Sequence, residues 1–161
     1  MNVIIIKYNA GNIQSVLFAL ERIGVRAKVS EHAEEILSAD KIIFPGVGEA
    51  STAMKYLKEH QLDKVIKAAK QPVLGICLGL QLLCKHSEEN NTDCLDIFEA
   101  EVRKFRSENL KIPHIGWNYV HTTEDPRFKN IKNDAYWYFV HSYYAELSSD
   151  TIATTEYETV F

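Results

Sequence analysis

The chain is poor in most of the features that would place it outside the ordinary globular class. Of its 161 residues only seven are glycine and four proline, which excludes a collagen-like or low-complexity fibre. It has three cysteines, Cys77, Cys84 and Cys94, an odd number with no Cys-x-x-Cys pair. That argues against both a disulfide framework and a zinc site, and free thiols fit a reducing, cytoplasmic compartment. Basic residues are not in excess: 18 Lys and Arg stand against 22 Asp and Glu, a net charge of −4, where a nucleic-acid binder shows a basic excess or stripe. No apolar run approaches the ~18 residues of a membrane helix. The apolar start, Met1 to Ile6, is too short and lacks the basic flank of a secretory leader, so it reads as a buried strand.

What remains is 46% apolar and 25% charged residues, enough to build a core in one domain over residues 1–161. The N-terminal half alternates strand and helix signals. Val3 to Ile6 is a short β-branched run. Asn12 offers an N-cap, Ile13, Val16, Leu17, Leu20 and Ile23 follow at helical spacing, and Gly24 occupies a C-terminal glycine position. Strands are expected at Arg26–Val29, Lys41–Phe44 and Val73–Ile76, with helices near 49–58, 61–70 and Leu78–Cys84. Pro72 bars the second of these from continuing. This alternation implies a parallel sheet covered on both faces. After residue 95 strand signals dominate: Ile97–Phe105, Ile112–Ile115, Trp117–His121, Tyr136–Tyr144 and Ile152–Tyr157. His86 to Asp93 reads as a polar surface loop.

The segment from Pro72 to Gln81 carries the sharpest chemical signal. An apolar strand runs into Gly75-Ile-Cys77-Leu-Gly79 and then opens a helix, the nucleophile-elbow pattern with cysteine in place of serine. Glycines at 75 and 79 remove side chains that would crowd such a turn. Cys77 would then stand at the carboxyl edge of the sheet, its thiolate favoured by the helix start and the Leu78 N–H aimed at a developing oxyanion. Gln81, four residues on, shares the helix face of Cys77 and suits a polar substrate. A buried structural cysteine is the competing reading of this motif alone. Pro45-Gly-Val-Gly48 is a glycine turn before a helix, suited to an anion or merely to a chain reversal. His114 in Pro-His-Ile-Gly-Trp-Asn118 and His141 in Tyr-Phe-Val-His-Ser-Tyr143 are candidate bases or structural histidines, and Trp117 and Trp137 read as packing residues.

Taken in order, Tyr8-Asn-Ala-Gly-Asn12, Pro-Gly-Val-Gly48, Gly-Ile-Cys-Leu-Gly-Leu-Gln81, Pro-His-Ile-Gly-Trp-Asn118 and Tyr-Phe-Val-His-Ser-Tyr143 resemble the class I glutamine amidotransferases across essentially the whole chain. Within that class the chain is most similar to the glutaminase subunit of imidazole glycerol phosphate synthase. The resemblance implies an α/β, flavodoxin-like fold with a central mixed, largely parallel sheet flanked by helices. It implies a thiol glutaminase in which Cys77 is the nucleophile and the N–H groups of Val47 and Leu78 form the oxyanion hole. It further implies that Gly48, Gln81, Ser142 and Tyr143 hold glutamine. Asn12, Trp117 and Asn118 would meet a (β/α)8-barrel cyclase subunit in a heterodimer serving histidine biosynthesis. No cofactor, metal, nucleic acid or membrane is implied.

Two departures from the family pattern are visible. Lys7-Tyr8-Asn9 stands where the family carries Asp-Tyr-Gly, and the family's base and orienting carboxylate, a His-Pro-Glu motif near the C-terminus, occur nowhere in the chain. The chain ends in Thr159-Val-Phe161, inside an apparent strand. The expectation is a single amidotransferase domain that lacks the segment carrying His-Pro-Glu, with little or no turnover by residues 1–161 alone. Two other readings stay open. One is an amidotransferase subunit of a paralogous surface-polysaccharide pathway. The other is a non-catalytic docking subunit without a base.

Overall fold

A computed structural model describes all residues 1–161. Four parallel strands form the first sheet: β1 (Val3–Ile6), β2 (Ala27–Ser30), β3 (Lys41–Gly46) and β4 (Val73–Cys77), in the order β2-β1-β3-β4. Between them run α1 (Ile13–Arg22), α2 (Ala33–Leu37), α3 (Ala50–Glu59) and α4 (Leu62–Ala68), and α5 (Leu78–Leu83) follows β4 directly. The alternating pattern therefore does produce a parallel sheet with helices on both faces. Short α2 was not expected, because its single buried apolar residue, Ile36, makes no visible periodicity.

The two faces are packed by different sets of side chains. Ile4, Ile6, Ile42 and Phe44 point to one side and meet Met54, Leu57, Leu62, Ile66, Leu78 and Leu82 from α3, α4 and α5. Val3, Ile5 and Ile43 point to the other and receive Ile13, Val16, Leu17 and Leu20 of α1. Ile23 has no place there; it caps α1 and is largely exposed, because Gly24, with φ +73°, turns the chain away just beyond it.

β3 runs two residues further than Pro45 predicts. β1 pairs with β3 only as far as Ile43, so the N–H that Pro45 lacks is not required by that neighbour. On the other side the β3–β4 register continues to Gly46↔Cys77. This extension brings the Val47-Gly48 turn beside the end of β4.

The second half is antiparallel or mixed. β5 (Cys84–Ser87), β6 (Thr92–Asp93), β7 (Phe98–Lys104) and β10 (Tyr143–Ala145) form a sheet in the order β10-β7-β5-β6. The stretch 86–93 is thus part of a hairpin and not simply a loop. β8 (His114–Thr122) and β9 (Ala135–His141) make a long antiparallel pair, with β11 (Ala153–Thr154) added to β8. The two strands expected at 112–115 and 117–121 are one continuous strand. β12 (Glu156–Tyr157) and β13 (Thr159–Val160) close the chain as a small hairpin.

Candidate active site

The turn from β4 to α5 is built around one strained residue. Cys77 has φ +53° and ψ −114°, a backbone conformation that costs a side-chain-bearing residue roughly 1–3 kcal/mol and persists only when its surroundings enforce it. The enforcement is visible on both sides. A Cβ on Gly75 would sit 2.8 Å from Leu80 Cα, and one on Gly79 would overlap the Phe44 carbonyl oxygen. Helix α5 is therefore drawn tight against the end of β3 and against its own strand, and the chain can reverse only at Cys77. The sequence pattern Gly-x-Cys-x-Gly specifies this turn through the space that two absent side chains leave.

The thiol so presented carries no hydrogen bond to any histidine. Desolvation is the largest influence on it and raises its pKa above the ordinary thiol range. The N–H of Leu78 pulls the other way, and the charge of Glu89 adds a further rise. The residue is exposed at its edge, yet its sulfur is enclosed enough for burial to outweigh the helix start. The expected net stabilisation of a thiolate by α5 is thus not realised, and an ionised Cys77 at neutral pH requires a proton acceptor.

Val47 and Gly48 follow Gly46, whose partner across the ladder is Cys77. Gly48 has φ +112°, a conformation open to glycine, and a Cβ there would meet nothing within 4 Å. Both residues are exposed, so the turn is free on its outer side. Gln81 lies one helical turn after Cys77, and its Nε2 donates to the Tyr143 carbonyl at 2.9 Å. This bond ties the start of β10, and with it Ser142, to the cysteine helix. Cys77, Leu78, Val47, Gly48, Gln81, Ser142 and Tyr143 thereby cluster around the carboxyl edge of the parallel sheet.

Glu89 is a member of this cluster that the sequence reading missed. Its Oε2 accepts from the Ala50 N–H at 2.8 Å, and its charge reaches both Cys77 and Tyr143. Burial raises its own pKa. Nothing in a polar stretch such as Glu88-Glu89-Asn90-Asn91 marks one carboxylate as inward-facing. Only the β5–β6 hairpin, returning beside α3, does so. Its neighbour Glu49 caps α3, accepting from Ser51 N at 2.8 Å and Thr52 N at 3.0 Å, and hydrogen bonds from the Ser51 and Thr52 side chains, above all, lower its pKa to about 2.

The remaining candidates fall elsewhere. Asn12 caps α1 through Ser15 N at 3.2 Å and stands exposed on the loop after β1, also at the carboxyl edge. Trp117 and Asn118 alternate along β8 and so face opposite ways. Trp117 is 67% exposed, whereas Asn118 Nδ2 donates to the Glu156 carbonyl at 2.8 Å. The outward face of the β8–β9 pair carries three apolar cross-strand pairs, Ile115–Val140, Trp117–Tyr138 and Tyr119–Tyr136, all exposed. His114 and His141 engage each other at 3.1 Å, and the second ring nitrogen of His141 faces the Tyr143 carbonyl at 2.8 Å. His141 therefore has no nitrogen free to take a proton from Cys77. Lys7 lies 3.4 Å from Glu31, so the charge reversal at that position is answered within the chain. No group of three or more His, Cys, Asp or Glu side chains is arranged to hold a metal ion, and no helix is long and apolar enough to cross a membrane.

Comparison with known proteins agrees with this geometry. Residues 4–160 match the family described as Glutamine amidotransferase class-I. A Bacteroides fragilis protein named imidazole glycerol phosphate synthase subunit HisH is 52% identical over 159 residues, spanning 98% of this chain and 81% of that protein. Its namesake in Bacteroides thetaiotaomicron is 49% identical over the same shares of each chain. Among solved structures, one titled crystal structure of glutamine amidotransferase superposes with a TM-score of 0.72 at 17% identity, covering 98% of this chain and 86% of the other. A Thermotoga maritima glutamine amidotransferase superposes with a TM-score of 0.63 at 22% identity, covering 97% and 67%. The fold, the strained cysteine turn and the match over nearly every residue lead to one assignment: the chain belongs to the class I glutamine amidotransferase family.

Proposed function

We propose that the protein is a glutaminase subunit that releases ammonia from glutamine for a cyclase partner of the imidazole glycerol phosphate synthase type, in histidine biosynthesis and in the cytoplasm. The observation that carries the reading is the forced conformation of Cys77 at the end of β4, in a chain about half identical to proteins of that name.

In this reading the Cys77 sulfur attacks the side-chain amide carbon of glutamine. The carbonyl oxygen takes up negative charge, and the N–H groups of Leu78 and Val47 receive it. The Val47-Gly48 turn can rotate a peptide without steric cost at Gly48, so a partner seated on it can gate the hole. The thiol proton passes to the departing nitrogen, ammonia leaves, and a thioester remains on Cys77. Water then cleaves the thioester to glutamate and restores the thiol. Gly48, Gln81, Ser142 and Tyr143 hold the substrate, and the Glu89 carboxylate suits its α-ammonium group. Because the thiol lies above its ordinary range, the reaction depends on a base. None of the six histidine rings hydrogen-bonds the sulfur, so residues 1–161 alone are expected to turn over glutamine slowly. The exposed Ile115–Val140, Trp117–Tyr138 and Tyr119–Tyr136 ladder is the surface offered to a barrel subunit, and Asn12 stands exposed separately at the carboxyl edge of the parallel sheet.

The test measures glutamate release with and without a cyclase barrel from a histidine-synthesis operon. Partner-stimulated release that disappears in Cys77→Ala supports the reading. Undiminished release from Cys77→Ala overturns the nucleophile. A chain that binds the barrel but never yields glutamate, even with the partner and intact Cys77, favours the docking-only alternative, which the missing histidine contact also suits.

A further inference from the structure

His114 and His141 lie outside the chemistry above, yet they are connected to it. The β8–β9 register sets them opposite each other, and His114 is 3% exposed. His114 stacks on Tyr157 at a centroid distance of 3.9 Å and on Phe139 at 5.0 Å, and Phe105 presents its edge to both rings. Phe161 adds an edge contact to His141. The box is aromatic throughout, with no carboxylate or cation bonded to either ring. Burial lowers the pKa of both imidazoles, so both are neutral near pH 7.

Neutral rings have one N–H each, which gives the contacts a direction. A carbonyl only accepts, so His141 Nδ1 donates to the Tyr143 carbonyl at 2.8 Å. His141 Nε2 is then a bare acceptor, and His114 Nδ1 donates to it at 3.1 Å. The Tyr143 carbonyl also accepts Gln81 Nε2 at 2.9 Å. It is available for both because of its place in the ladder. Ser142 O accepts Phe105 N, so Tyr143, opposite Lys104, occupies the alternate position whose carbonyl turns away from β7. One carbonyl is thus held by two side chains, one from the histidine pair and one from the helix that carries Cys77.

We propose that His114 and His141 form a positioning pair that fixes the Tyr143 carbonyl and, through it, the orientation of Gln81 for glutamine binding. The inference rests on the glutamine reading and adds two residues to it. The pair also joins the hairpin that bears Trp117 to the pocket, since both strands of the hairpin end at these histidines. Each acts through another residue, so neither is expected to change the reactivity of Cys77 itself.

The test exploits the different reach of two amides. Asn at 141 reproduces the Nδ1 donor to Tyr143, whereas Gln reproduces the Nε2 position and loses that donor. The readout is inactivation of the full chain by 6-diazo-5-oxonorleucine, a glutamine-mimicking electrophile, against reaction with iodoacetamide. We expect His141→Asn to keep the half-saturating concentration of the unaltered chain. His141→Gln should raise it about tenfold, the ordinary worth of one hydrogen bond, with the maximal rate and the iodoacetamide rate unchanged. Likewise His114→Asn should be milder than His114→Leu. Equal half-saturation for Asn and Gln at 141 overturns the positioning role while leaving the glutamine reading intact. Non-saturable inactivation of the unaltered chain overturns the glutamine reading and this inference with it. A measurement without variants decides the same point: nitrogen NMR of the unaltered chain should find the proton of His141 on Nδ1, and a proton on Nε2 instead overturns the pair.

Discussion

The parallel sheet and the β8–β9 hairpin use similar residues in opposite ways. All four residues of β1 are buried, and so are five of the six in β3, because helices cover both faces. In β9, equally rich in aromatic and β-branched residues, no residue is fully buried. The first region supplies its own apolar cover, and burial of each such side chain is worth about 1.5–3 kcal/mol. The second holds its outer face together by contacts within the face, such as Trp117 against Tyr138 at 5.5 Å and Tyr119 against Tyr136 at 4.1 Å. A hydrophobic strand pattern therefore reports that a surface is suited to cover. Whether the cover comes from the same chain is a separate matter, and here it divides stabilising residues from those suited to a partner.

The comparison can be broken at its strongest point first. Phe44 is wholly buried under α3 and α5. Phe44→Ala should cost about 3–5 kcal/mol in urea denaturation. Next, Gly79→Ala forces a methyl into the Phe44 carbonyl and should cost roughly 1–3 kcal/mol or more while slowing alkylation of Cys77, as the elbow opens. A normal rate in a stably folded Gly79→Ala chain would mean that the close approach does not hold the turn.

A kinetic effect of intermediate size concerns the thiol. Because desolvation raises its pKa, the thiolate fraction is small at neutral pH, and the iodoacetamide rate should keep rising beyond about pH 8.5, the value of a free cysteine. Glu89 adds to that rise, so Glu89→Gln lowers the thiol pKa and should speed alkylation a few-fold at pH 8. An unchanged profile would remove Glu89 from the site. On the hairpin, Trp117→Ala should cost less than about 1 kcal/mol in the same urea assay yet weaken association with a cyclase barrel. A loss matching that of Phe44→Ala would erase the distinction between the two regions. The smallest effect belongs to the surface: Lys28→Met breaks the 2.7 Å pair between exposed Lys28 and half-buried Glu35 and should cost less than about 1 kcal/mol, diminishing further in high salt.

Much of the first region was legible in the sequence because its elements repeat a local rule. Ile13, Val16, Leu17 and Leu20 mark a helix face, and Val3 to Ile6 marks a strand covered twice. The cysteine turn was legible for another reason, since two glycines at fixed spacing have few other uses. The second region was less so. Strand signals were plain, but nothing local showed that 114–122 makes one strand or that Trp117 and Asn118 serve different faces with different partners. The direction of the Cys77 shift was also misread. The helix start is a local feature, whereas desolvation comes from the neighbours that the fold brings in.

By itself the sequence determined the alternating half, the elbow at Cys77 and the resemblance that names the family, because each is carried by residues close together in the chain. The tertiary structure alone decided the rest. It put Glu89 within the field of the thiol, paired His114 with His141, and aimed both His141 and Gln81 at one carbonyl of Tyr143. Those contacts span from 2 to 62 positions, and the longer ones depend on where whole strands lie. Hydrogen bonds and charges act over a few ångströms of space, whatever the separation in sequence, so only the folded chain could say which of its polar groups meet.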